Sequence, residues 1–181
     1  MDTPFMEKAA FSLSAAGLRV YRYEFAYMAA RRSTGKKAPP SRFDHLQEEL
    51  RELWGTWDAP GPRFLGGKSL GSRVSVSMAG PLGAAGAIAL GYPFHPPGKP
   101  ESTRLSPFES LTCPCLIFQG TRDPFGQPEE VQGYPLGAHT QIHWIEGGTH
   151  DLAVRRSDPE PFAQITQSLK TWVTQNAFLS R

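Results

Sequence analysis

At 181 residues the chain is long enough for one domain with a sizeable core and short for two, and 39% hydrophobic with 20% charged residues excludes a disordered chain. A formal charge of +2 without a long basic stripe argues against a nucleic-acid partner, and no apolar run is long enough to span a bilayer. The opening residues lack a basic stretch followed by an apolar one, so the expected location is the cytoplasm.

In chain order, a helix is predicted from about Pro4, carrying Phe5, Met6, Ala9, Ala10 and Leu13 and stopped at Gly17. Leu18 to Phe25 reads as a strand by its alternation. Ser41 to Trp57 reads as a helix whose Leu46, Leu50, Leu53, Trp54 and Trp57 recur at helical spacing, with Ser41 as its cap. A short strand from Arg63 to Gly66 runs into Gly67-Lys68-Ser69-Leu70-Gly71, and a helix from Arg73 to Met78 follows. Further strands are predicted at Ala85 to Leu90, Cys115 to Gln119 and Gln141 to Ile145, with a functional loop from Tyr92 to Pro107 and a closing helix from about Pro159 to Phe178. This alternation is that of an α/β fold, a mostly parallel sheet flanked by helices in a single domain over residues 1–181. Cys113 and Cys115, two apart across Pro114, read as buried strand thiols: too close for a comfortable disulfide, and without companions for a zinc site.

The residues that carry chemistry fall at the carboxyl ends of these strands, where open parallel sheets hold their sites. In the Gly-x-Ser-x-Gly turn, small residues at Gly67 and Gly71 would avoid clashes and let the Ser69 hydroxyl project above the sheet. Asp123 follows the next-to-last strand and His150 the last, so the chain supplies Ser, Asp and His in the order used by one family of serine hydrolases. An unassisted hydroxyl is a poor nucleophile; a neutral imidazole takes its proton, and a carboxylate fixes the imidazole tautomer. Ser69, His150 and Asp123 are therefore the expected nucleophile, base and acid. Glu146 and Asp151 lie too near His150 in sequence to reach its far ring nitrogen. His143 is expected to be a packed or surface residue and His45 to lie on a solvated helix face. His95, with Phe94, either lines a substrate pocket or belongs to a structural proline-rich loop.

Three segments together carry a family resemblance: Gly66 to Arg73 (GGKSLGSR), Leu90 to Gly98 (LGYPFHPPG) and Gln119 to Gly126 (QGTRDPFG). They are similar to small bacterial α/β-hydrolases related to dienelactone hydrolases, whose animal relatives include a testis-expressed protein and a subunit of the NSL histone-acetylating complex. The resemblance implies the α/β-hydrolase fold and the same Ser69, Asp123 and His150. It also implies that Arg31 and Arg32, in Phe25 to Arg32 (FAYMAARR), belong to a loop. Members of that family open with two or three strands and a His-Gly-rich loop ahead of a stretch like Met1 to Met6. The chain is thus expected to be N-terminally truncated, with an unfilled position between Leu18–Phe25 and Arg63–Gly66. The Leu70 amide would remain as the one oxyanion donor. The expected function is a serine esterase acting on small acyl esters through an acyl-enzyme, without metal or organic cofactor. The alternative is a catalytically impaired interaction module that keeps the fold. Nothing in the sequence speaks to oligomeric state.

Overall fold

Helix α1 (Pro4–Ala15) begins where Thr3 accepts the Met6 N–H on its hydroxyl at 3.3 Å and Pro4 supplies the fixed φ of a first turn. In the computed structural model, which describes residues 2–36, 39–158 and 160–176, it is followed by α2 (Ala26–Thr34), α3 (Phe43–Thr56), β1 (Phe64–Lys68), α4 (Leu70–Ala79), β2 (Gly86–Leu90), α5 (Ser106–Glu109), β3 (Cys115–Gly120), α6 (Pro128–Val131), β4 (Thr140–Ile145) and α7 (Pro161–Asn176). The strands lie in the order β1-β2-β3-β4, and each neighbouring pair is parallel. The architecture is the expected one, a parallel sheet between helices.

The period of two along a strand divides the core. Ala87, Ala89, Cys115 and Ile117 face Leu46, Leu50 and Trp54 of α3 and Val74 and Met78 of α4. Ile88, Leu90, Leu116 and Phe118 face Ala9 of α1 and Ile165, Leu169 and Trp172 of α7. With a helical layer on each side, every residue of β2 and β3 is buried, which is why both strands read as apolar runs. Arg63 clamps the entry to β1 by laying its guanidinium over the Trp54 ring, 4.1 Å from its centroid, and donating to the Trp57 carbonyl at 2.7 Å. No helix among the described residues is long and apolar enough to cross a membrane. Cys113 and Cys115 are buried and free.

Several local expectations are corrected. Leu18 to Phe25 forms no strand and joins no ladder. A strand needs a neighbouring strand to pair its backbone, and the sheet of β1 to β4 does not include this segment. Side chains tie it to α3 and its end: the Tyr21 ring packs at a tilt against Trp57, and the Tyr23 hydroxyl donates to Glu49 of α3. The same Glu49 carboxylate accepts the Ala26 N–H at 2.6 Å and so caps α2, whose Phe25 cap offers no side-chain acceptor. Arg31 and Arg32 lie in the last turn of α2 rather than in a loop, where their charge complements the helix dipole. Ser41 is not a cap, since α3 starts at Phe43 after Arg42 and has its first-turn Asp44 held by the Arg42 guanidinium at 2.9 Å. Helix α4 starts directly after Ser69, before the expected Arg73. The expected ends of the last helix, Pro159 and Phe178, lie outside the described residues.

Leu169 is 0% exposed at the centre of the α7 face, so Leu169→Ala should lower unfolding free energy by about 2–5 kcal/mol. Phe11→Ser, at a side chain 75% exposed, should change it by less than about 0.5 kcal/mol. Denaturant unfolding followed by circular dichroism measures both, and equal effects would contradict the packing of α7.

Candidate active site

β1 passes into α4 through a single residue, Ser69, whose φ of 53° and ψ of −117° no ordinary strand or helix residue adopts. A Cβ on Gly67 would lie 2.3 Å from the Gly71 carbonyl carbon, so this turn closes only over glycine. A Cβ on Gly71 would meet nothing within 4 Å, which corrects the expectation that both glycines are sterically required. The turn is pinned on both sides. The Ser69 N–H donates to the Leu90 carbonyl at 3.2 Å, and the Ser69 carbonyl accepts the Ser72 and Arg73 N–H groups at 3.0 and 3.2 Å. The Ser72 hydroxyl donates to that carbonyl at 2.6 Å and is fully buried, which leaves Ser69 as the half-exposed hydroxyl of the turn. Leu70 is the first residue of α4, so its N–H has no acceptor within the helix.

His150 and Asp123 arrive on the loops after β4 and β3. Gly91, at the end of β2 with φ 65°, lets the His150 loop settle on the strand: a Cβ there would lie 2.5 Å from the His150 carbonyl oxygen. His150 Nε2 is 2.9 Å from Ser69 Oγ, and Nδ1 is 2.8 Å from Asp123 Oδ2. An ionised carboxylate only accepts, so Nδ1 carries the hydrogen and the Nε2 lone pair faces the serine hydroxyl. Asp123 is 0% exposed. Its Oδ2 also accepts from Gln119 Nε2 at 2.8 Å, and its Oδ1 from the Phe125 N–H at 2.9 Å. The Phe125 ring lies against the His150 ring, with centroids 4.2 Å apart. Gln119 and Phe125 were not among the expected site residues. The available signal was an amide closing the otherwise apolar strand Cys115 to Gln119.

The rejected acids are occupied elsewhere. Asp151 binds the Lys68 ammonium at 2.5 Å, which holds its carboxyl below the usual carboxylate range, and Glu146 faces the Thr121 hydroxyl at 3.5 Å. His143 meets Ser168 Oγ at 3.1 Å beside the Phe118 ring, and burial pushes its pKa down, while His45 is exposed on α3. Phe94 and His95 do not line an open pocket. Phe94 is fully buried between Tyr92, Phe108 and Tyr134. His95 is buried with Nδ1 on the Pro96 carbonyl at 2.9 Å and Nε2 on Glu130 at 3.2 Å. Both side chains are thus packed within this loop rather than exposed on it. Two surface hollows, one lined by Lys8, Phe11 and Thr166 and one by Arg122, Glu146 and Arg155, both leave Ser69 outside.

The two glycines of the turn should separate on mutation. Gly67→Ala must displace backbone and should cost more than about 2 kcal/mol, whereas Gly71→Ala, in open space within α4, should gain up to about 1 kcal/mol. Equal changes in unfolding midpoint would contradict the turn geometry.

Solved structures share this fold. An esterase domain from Rhodothermus marinus superposes with a TM-score of 0.65 at 16% identity, over 96% of this chain and 81% of that one. A serine hydrolase without lid from Xanthomonas campestris gives 0.67 at 18% identity, over 97% and 74%. An alpha-beta serine hydrolase homologue from Coxiella burnetii gives 0.59 at 21% identity, over 97% and 77%. At these identities the likeness speaks for the fold. The sequence model of one family, described as an alpha/beta hydrolase domain, matches residues 1–177, nearly the whole sequence, and the chain therefore belongs to the α/β-hydrolases.

Proposed function

We propose that this protein is a serine hydrolase that cleaves small acyl esters, with Ser69 as nucleophile, His150 as general base and Asp123 as the acid that orients it. The observation that carries the reading is the continuous hydrogen-bonded path from Ser69 Oγ through both nitrogens of His150 to Asp123, at 2.9 and 2.8 Å. The Ser69 oxygen attacks the ester carbonyl carbon while Nε2 takes its proton, and the carbonyl oxygen gains the negative charge. Collapse of that intermediate expels the alcohol, which leaves with the proton from Nε2, and Ser69 keeps the acyl group. Water then attacks the acyl carbon, passes its proton through Nε2 and releases the carboxylic acid, restoring the hydroxyl. Asp123 fixes the ring and balances the imidazolium in both halves.

The Leu70 N–H is the oxyanion donor in this reading, and a donor of this kind is worth on the order of a hundredfold in rate. An ester asks least of a site with one assigned donor, because its alkoxide leaves more readily than an amide nitrogen. An interaction module would have no use for a strained serine aligned with an imidazole and a buried carboxylate.

A fluorophosphonate probe should label Ser69, and Ser69→Ala should abolish both labelling and hydrolysis of p-nitrophenyl acetate. Persistent labelling, or labelling that maps to Ser72, would overturn the assignment. Asp123→Asn should leave the protein folded and slow acylation by roughly 10⁴-fold, because the amide favours the wrong tautomer of His150. Near-normal turnover in that variant would move the acid's role elsewhere.

A further inference from the structure

Resting on the reading of Ser69, His150 and Asp123 as the reacting groups, we infer that Gln119 is a positioning residue that holds the Asp123 carboxylate in the one orientation from which it can align His150. Gln119 is 0% exposed and sits within β3, otherwise an apolar strand, at a position where packing alone would be served by an aliphatic side chain. A buried amide is costly unless its donors and acceptor are used, and here they all are. Its Oε1 accepts the Tyr92 N–H at 2.8 Å. Its Nε2 lies 2.8 Å from Asp123 Oδ2, 3.2 Å from the Tyr92 carbonyl and 3.3 Å from the Gly126 carbonyl.

The Tyr92 N–H decides which way the amide points. Were the group turned over, Oε1 would face the carboxylate and Nε2 would face another N–H, two repulsions in place of two attractions. The donor therefore faces Asp123, and its shortest contact is the charge-assisted one. The titratable groups joined to the amide are Asp123 and, through the same Oδ2, His150. The other end of the amide is fixed to the backbone just beyond β2. That strand's Leu90 carbonyl holds the Ser69 N–H, and the Gly91 that follows it seats His150. Gln119 thus ties the acid to the strand end that also locates the nucleophile and the base.

The test compares Gln119→Leu, Gln119→Glu and Ser69→Ala in the full chain, with p-nitrophenyl acetate turnover across pH and circular dichroism of each variant. Gln119→Leu removes the donor and should lower kcat by roughly 10- to 100-fold, the loss typical of a partner one step from the reacting groups, with KM little changed. Gln119→Glu is nearly isosteric. While its carboxyl is protonated it can still donate to Asp123, and once ionised it repels Asp123. Its rate should therefore fall as pH rises through a range where the unmodified protein stays level, and should recover partly on the acid side. A side chain that merely fills space would leave the shape of that profile alone. Unaltered kcat in Gln119→Leu, or an unaltered profile in Gln119→Glu, would overturn the inference, as would a failure of both to fold, which would make Gln119 a folding residue. Turnover surviving in Ser69→Ala would remove the underlying reading instead. Loss of turnover there beside normal kinetics in both Gln119 variants would remove only this inference.

Discussion

A carboxylate with no exposure to water, Asp123, is the constraint around which the upper edge of the sheet is arranged. Taking an ionised group out of water costs several kcal/mol unless donors replace its hydration. Three donors do so: Gln119 Nε2 and His150 Nδ1 on one oxygen, and the Phe125 N–H on the other. Each of these bonds also fixes its donor. The Phe125 N–H bond tightens the turn after β3 and brings the Phe125 ring over His150. The His150 bond leaves Nε2 as an acceptor toward Ser69. Charge compensation and the geometry needed to activate a hydroxyl are thus met by the same contacts.

The scaffold supports this because the sheet is parallel and covered on both faces. Side chains at its centre are fully buried, so β2 and β3 are close-packed on both faces, and the loops leaving their carboxyl ends start from that packed base. Ser69 is hydrogen-bonded to Leu90, and the Gly91 N–H donates to the Phe118 carbonyl at 2.8 Å, so the ends of β1, β2 and β3 are laced together just beneath the site. Lys68 and Asp151, the residues beside the serine and the histidine, add an ion pair between the end of β1 and the loop after β4. With side chains 23% and 67% exposed, that pair contributes little to stability.

The sheet strands and the α3 face were legible in the sequence because both are written in local periodicity: apolar runs bounded by turns for Cys115 to Gln119, and the spacing of Leu46, Leu50 and Trp54 for α3. Ser69, Asp123 and His150 were legible as strand-end residues in a given order. Leu18 to Phe25 misled because alternation signals the wish to be a strand, whereas pairing depends on a neighbour that local sequence does not name. α2 was missed because its cap is Glu49, distant in the chain, and no residue at its own start announces it. Phe94 and His95 left two readings open for a related reason. A loop rich in proline and glycine reads as surface, but the Tyr92–Phe94–Phe108 ring cluster and the His95–Glu130 contact turn it inward. Gln119 stood in a quoted motif, yet its role depends on Tyr92 and Gly126 converging on it, which is a property of the assembled sheet.

Backbone strain follows the same logic of assembly. Among the described residues, the non-glycine positions with positive φ are Ser69 at 53° and Leu152 at 55°, one being the nucleophile candidate and the other two residues beyond His150. Conformations of this kind cost about 1–3 kcal/mol each and persist only where the surroundings over-determine them. Ser69 is held by the backbone bonds at its N–H and carbonyl and by the Ser72 hydroxyl. Leu152 is fully buried against the α7 side of the core, and its N–H donates to the Thr149 carbonyl at 2.8 Å. Ser69 carries one side of the 2.9 Å contact between its Oγ and His150 Nε2, and Leu152 lies two residues beyond the other side. Hydrogen bonds at the strand ends and the packing of the α7 layer therefore stabilise more than the sheet: they sustain the unfavourable backbone on either side of the contact between the hydroxyl and the imidazole.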